Sequence, residues 1–100
     1  MPQYEVLDAK WDNLTHFWVL QVRGTRVWTV IFHACRGFQD VQWRVQTRDP
    51  ETGLWRFHAR GFIPMPHRQM LRVFPATNEA AVRFFYQTLL PNILARFPEF

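Results

Sequence analysis

The stretch RDPETGLW, Arg48 to Trp55, constrains the path of the chain more than any other segment. Asp49 can accept hydrogen bonds from the backbone amides that follow it, Pro50 presets φ near about −65°, and Gly53 tolerates the left-handed conformation that closes the loop. On either side lie VQWRVQT and WRFHARG, in which arginine, glutamine and histidine alternate with tryptophan, phenylalanine and valine. A period of two on both sides of a tight turn predicts an antiparallel hairpin.

Two registers are open to it. The turn resembles that of designed mini-hairpins, which implies Asp49 opposite Leu54, Arg48 beside Trp55 and Arg44 beside Ala59. Each face then mixes cations with aromatics. A bulge at Gly53 would shift the pairing by one residue, so that Trp43, Val45 and Thr47 meet Ala59, Phe57 and Trp55. The other face would collect Gln42, Arg44, Gln46 and Arg48 with Arg56, His58 and Arg60. A one-residue slip moves a whole side-chain set between faces, so burial of the apolar set favours the bulged, segregated pairing.

Upstream, THFWVLQVRGTRVWTVIFHAC holds two β-rich runs around Gly24-Thr25. Glycine at the first central position signals a two-residue type II′ loop, pairing Arg23 with Arg26, Val22 with Val27, Leu20 with Thr29, Trp18 with Ile31 and His16 with His33. Both faces are largely apolar, the second carrying Phe17, Val19, Trp28, Val30 and Phe32, so these strands belong inside a sheet. QYEVLDAKW supplies a flanking strand, with Tyr4, Val6 and Asp8 on one side. The segment IPMPHRQMLRVFPA has three prolines and no clean period, which reads as an extended connection over 64–76 with a short edge strand from Gln69 to Phe74.

From Thr77 the pattern becomes helical. Thr77 or Asn78 can cap, Glu79 complements the N-terminal dipole, and Ala81, Phe85, Leu89, Ile93 and Phe97 recur at four-residue spacing beside Val82, Tyr86, Leu90 and Leu94. Pro91 lacks the amide hydrogen an interior helical position uses, so a kink or two abutting helices are expected there. The expected architecture is α+β: a four- to five-stranded antiparallel meander over about residues 3–63, with a C-terminal helix, 77–97 and kinked at Pro91, packed on one face. Without a Gly/Ser linker or a repeat, one domain spans 1–100.

A chain that is 48% hydrophobic, 17% aromatic and 20% charged is expected to fold rather than remain disordered. Five Trp and ten Phe exceed what so small a core usually holds, which points to a partner or a homodimer. Cys35 is the only cysteine, so no intrachain disulfide can form, and the expected compartment is the cytoplasm. Neither a leader nor a membrane span is legible, so no membrane association is expected.

Charge is unevenly placed. Residues 1–22 carry a net −2, residues 23–72 a net +6 with nine arginines, and residues 73–100 balance. The candidate binding set is therefore Arg44, Arg48, Arg56, His58, Arg60, Gln42 and Gln46, on one side of the second hairpin. Arginine can bind phosphate or guanine edges, glutamine can read adenine, and bases could stack on Trp55 or Trp43. No acid lies between Gln42 and Arg48 or between Leu54 and Gly61, whereas a face that merely meets water usually mixes signs.

Catalytic signatures are missing. The chain has no serine, Walker loop, G-x-G-x-x-G or H-E-x-x-H. His16, His33 and Cys35 would share a face in the first hairpin, but without a fourth ligand at recognisable spacing neither a metal site nor a Cys-His pair is expected, and no cofactor is implied. The expectation is a small basic, non-catalytic accessory or regulatory module that contacts nucleic acid or a nucleoprotein assembly through the 41–61 hairpin. The alternative is a protein-interaction module, a small inhibitor or complex subunit, docking on an acidic protein surface.

Overall fold

The computed structural model describes residues 3–35 and 37–100. Five strands, β1 (Glu5–Asp12), β2 (Phe17–Arg23), β3 (Val27–Cys35), β4 (Asp40–Arg48) and β5 (Trp55–Pro64), pair in sequence order as one antiparallel sheet. Helix α1 (His67–Val73) follows. Then α2 (Asn78–Phe84), a π-type turn (Phe85–Leu89) and α3 (Leu90–Arg96) run on without interruption. The fold is α+β, with the C-terminal helical segment packed on the sheet.

The sheet's large buried apolar residues point to the helical side, except Ile31, which is buried on the opposite face beside Arg44. Trp18, Leu20, Val22, Trp28, Val30, Phe32, Val41, Trp43 and Val45 form one core with Met70, Ala81, Phe84, Phe85, Leu89 and Ile93. Burying a side chain of this size contributes about 1.5–3 kcal/mol, so this face dominates the energetics of the sheet. Two of the buried indoles are also anchored by hydrogen bonds: Trp18 Nε1 donates to the Pro75 carbonyl at 3.1 Å and Trp43 Nε1 to Asn92 Oδ1 at 2.7 Å. Among the described residues no helix covers the opposite face of the sheet.

That burial sets the register of the first hairpin and overturns the two-residue loop. Arg23 pairs with Val27, Val22 with Trp28, Leu20 with Val30 and Trp18 with Phe32, leaving a three-residue loop, Gly24 to Arg26. The slip of one residue gathers six bulky apolar side chains on the core face, where the two-residue loop would have opposed Leu20 to Thr29. Gly24 serves close approach instead of a II′ turn, since a Cβ there would lie 2.9 Å from Tyr4 Cε1.

In the second hairpin the favoured register is also overturned. The turn pairs Asp49 with Leu54, with Asp49 N donating to Leu54 O and Gly53 N to Asp49 O, both at 2.8 Å. Gly53 takes φ +74°, and Asp49 Oδ1 accepts from Glu51 N and Thr52 N. Arg48 therefore lies opposite Trp55, Thr47 opposite Arg56 and Gln46 opposite Phe57. The ladder then shifts between Val45 and Gln46, where His58 is the extra residue, so that Val45 meets Ala59, Arg44 meets Arg60 and Trp43 meets Gly61.

Packing volume explains the outcome. A Cβ on Gly61 would sit 2.5 Å from Trp43 Cζ2 and 2.8 Å from Arg96 Cδ, so the core face of β5 has room only for small residues beside Trp43 and α3. The bulge delivers Ala59 and Gly61 to that face and turns Arg60 and Phe62 outward with Trp55 and Phe57.

One further expectation changes. Residues 67–73 are helical, not extended, with Met70 buried in the core; the proline-rich flanks on both sides confine the helix to two turns. Around Pro91 the helix widens into the π-type turn just before it, and no break separates α2 from α3. A π turn tolerates the bond that the proline nitrogen cannot make. Thr77 caps α2, its Oγ1 accepting from Ala80 N at 3.1 Å.

Candidate nucleic-acid interface

Cross-strand partners share a face, so the register defines what the uncovered side displays. On β4 it shows Gln42, Arg44, Gln46 and Arg48; on β5 it shows Trp55, Phe57, Arg60 and Phe62. Phe17 and Val19 of β2 and Ile31 and His33 of β3 continue the same surface inward. Trp55, Phe57 and Phe62 are 50%, 55% and 41% exposed, high for rings of that size and enough to leave a face of each available for contact.

Arg44 and Arg60 are direct cross-strand partners, an arrangement of like charges that is destabilising by itself. The ion pairs among the described residues are Arg23 with Glu5 and Lys10 with Asp8, at the far edge of the sheet. Arg44, Arg48 and Arg60 take part in neither. Arg44 lies over the Phe17 ring at 5.7 Å and Arg48 over Trp55 at the same distance; the aromatic contact leaves the N–H edge of Arg44 free to donate, while Arg48 Nε already donates to the Gly53 carbonyl. A small hollow of about 90 Å³, lined by Ile31, His33, Gln42, Arg44, Phe57 and Arg60, opens at the Arg44–Arg60 row.

Charge is graded across this face. Glu5, Asp8 and Asp12 lie on β1, opposite Arg23, Gln21 and Phe17, whereas Arg44, Arg48 and Arg60 sit on β4 and β5, where Asp40, at the start of β4, is buried. Four inter-strand spacings, about 19 Å, separate the two edges, more than a Debye length at physiological salt. The β4–β5 edge therefore presents its cations to an anion without screening by the acidic edge. Burial lowers the pKa of His33, and the neighbouring Arg44 lowers it further against an opposing pull from Asp40, so its imidazole is held toward the neutral form.

Of the seven residues singled out from sequence, five share this face: Gln42, Arg44, Gln46, Arg48 and Arg60. Arg56 and His58 do not. Arg56 faces the Thr47 side, and His58 Nε2 is 2.8 Å from Thr47 Oγ1 with its ring packed on Trp28 and Phe97. Burial, then Arg26 and Arg56, lower the His58 pKa. The side-by-side Arg44 and Arg56 of the segregated register does not exist; Arg60 takes the place beside Arg44.

The residues missed were the aromatics. Phe57 was expected in the core and stands outward; of the two indoles expected to pack but also considered as stacking surfaces, Trp55 stands outward and Trp43 is wholly buried. Ala59 and Gly61 carried the signal, because two small residues opposite Val45 and Trp43 are complementary in volume.

His16 and His33 do not oppose one another. His16 lies in the β1–β2 turn at φ 61° and stacks on Trp11, and His33 stacks on Phe17 at 4.3 Å. Cys35 Sγ donates to Asp40 Oδ1 at 2.9 Å. Among the described residues no three His, Cys, Asp or Glu side chains are grouped to hold a metal, and no helix is long and apolar enough to cross a membrane. Comparison with protein-family models, with curated proteins and with solved structures gave no match.

Proposed function

We propose that the chain is a non-catalytic binding module for single-stranded nucleic acid, held on the open face of β4 and β5. The observation that carries this reading is the Arg44–Arg60 pair, two like charges in register with no carboxylate between them, flanked by exposed Phe57, Phe62 and Trp55. A phosphate between the two guanidinia relieves their repulsion and accepts charge-assisted hydrogen bonds. The three rings supply stacking surfaces, each worth about 1–3 kcal/mol per base, and Gln42 and Gln46 offer amide groups to base edges.

An intact duplex fits less well. Its bases are already stacked, so the exposed rings would find no partners there, and a ribbon lying in a groove would gain only from the arginines. The expected affinity order is therefore single strand above duplex. Fluorescence anisotropy with labelled oligonucleotides of both kinds tests it, alongside Arg44→Glu and Arg60→Glu variants. Single-strand binding that either charge reversal abolishes supports the reading. Equal binding of single strand and duplex, or no binding of either, overturns it; in the latter case an acidic protein surface is the better match for the same arginines.

A further inference from the structure

A second basic feature lies at the end of the same hairpin. Between the β2–β3 loop and the β4–β5 turn there is a cleft of about 430 Å³ lined by Arg26, Arg48 and Arg56 with Thr47, Thr52 and Trp55. Three arginines from three different places in the chain thus border one cleft, Arg56 from the Thr47 side of the sheet and Arg48 from the Trp55 side. Two are held in place: Arg26 lies over the Trp28 ring at 5.0 Å, and Arg48 Nε donates to the Gly53 carbonyl at 3.1 Å. The one acid in the wall, Asp49, already accepts from the amides of Glu51 and Thr52 and forms no ion pair with these arginines. Fixed donors of one sign lose little entropy when they capture an anion.

From this cleft we infer a site for the terminal phosphate monoester of a nucleic-acid strand, an inference that rests on the single-strand reading above. Trp55 links the two features, since it borders the cleft and stands on the open face with Phe57 and Phe62. A strand whose bases stack along β5 toward Trp55 brings its end to the cleft. An internal phosphodiester carries one negative charge, whereas a terminal monoester carries about −1.5 to −2 at pH 7 and offers three acceptor oxygens. Three arginines bordering one cleft match the second better than the first.

The test uses an oligothymidylate of about a dozen nucleotides in four forms: hydroxyl at both ends, 5′-phosphate, 3′-phosphate, and one nucleotide longer with hydroxyl ends. One phosphorylated form is expected to bind roughly tenfold tighter than the hydroxyl form, a gain of about 1.4 kcal/mol that one extra charge-assisted contact can supply. The longer strand, which adds an internal phosphate, should bind within about twofold of its parent, far short of that tenfold step. In the Arg26→Gln, Arg56→Gln double variant the preference for the phosphorylated end disappears.

Equal affinity for all four forms overturns the cleft while leaving the open-face reading intact. So does a preference that survives the double variant, or one reproduced by the longer strand. If the parent protein binds none of the four, the single-strand reading fails and the cleft assignment with it. Arg26 and Arg56 are exposed, so the variant should fold, and its circular dichroism and unfolding midpoint verify this.

Discussion

Gly61→Ala tests whether the register that builds the binding face is set by packing. The added methyl would lie 2.5 and 2.7 Å from two ring carbons of Trp43 and 2.8 Å from Arg96 Cδ. The arginine methylene can swing away. The indole cannot, because it is fully buried and its Nε1 is bound to Asn92 Oδ1 at 2.7 Å. Overpacking of this kind costs about 1–3 kcal/mol, and displacing the indole adds about 0.5–1.5 kcal/mol for the lost hydrogen bond. The reduced entropy of the unfolded alanine chain offsets about 0.4–1 kcal/mol. A net loss of about 0.5–4 kcal/mol follows, which for a domain of this size lowers the Tm by roughly 2–20 °C. Urea and thermal unfolding followed by circular dichroism would measure it. Because Gly61 lies between Arg60 and Phe62, oligonucleotide binding should weaken as well. A Gly61→Ala protein within about 0.5 kcal/mol of the parent would refute the packing explanation of the bulge.

Other expectations follow from the charges and rings. Three phosphate contacts from Arg44, Arg48 and Arg60 give a single-strand salt slope near −2.1, or roughly 18-fold weaker binding from 50 to 200 mM salt, and Arg44→Gln should reduce this to roughly sevenfold; a slope near zero in the parent contradicts phosphate contact. Phe57→Ala should leave the unfolding free energy within about 0.5 kcal/mol of the parent while costing about 1–3 kcal/mol of oligonucleotide binding, so a variant that unfolds early with intact affinity places that ring in the core. His33 and His58 both titrate below the ordinary 6.5 in the folded protein, so as the pH drops the unfolded state takes up protons first. Stability is full above the ordinary value and falls as the pH drops through the folded values, and His58→Gln should flatten that fall. Urea midpoints that hold level or rise on acidification from neutral pH would show the sign to be wrong.

The meander, the DPETG turn, the Thr77 cap and the helix over the sheet are all local or periodic features, which is why they were legible residue by residue. The registers were not, because they depend on volume matching across strands. Hydrophobic segregation sets the first hairpin, where it moves Trp28, Val30 and Phe32 to the core against the two-residue loop that the glycine signals. In the second hairpin the same criterion misled. The turn chemistry of Asp49 and Gly53 kept Arg48 with Trp55, and the bulge fell at His58, where Ala59 and Gly61 could then meet Val45 and Trp43. Hence the basic face was foreseen but its composition was not: Arg56 and His58 leave it, and three aromatic rings join it. The proline-rich connection hid α1 for a different reason, since a seven-residue helix has too few turns to show a period.

Backbone amide shift mapping by NMR, titrating an oligothymidylate of about a dozen nucleotides into the labelled protein, tests the central claim most directly. Binding on the open face predicts shifts concentrated at Gln42, Arg44, Gln46, Phe57, Arg60 and Phe62, with those of α2 and α3 unmoved. Shifts confined to the helices, or none at oligonucleotide concentrations that saturate anisotropy, would contradict it.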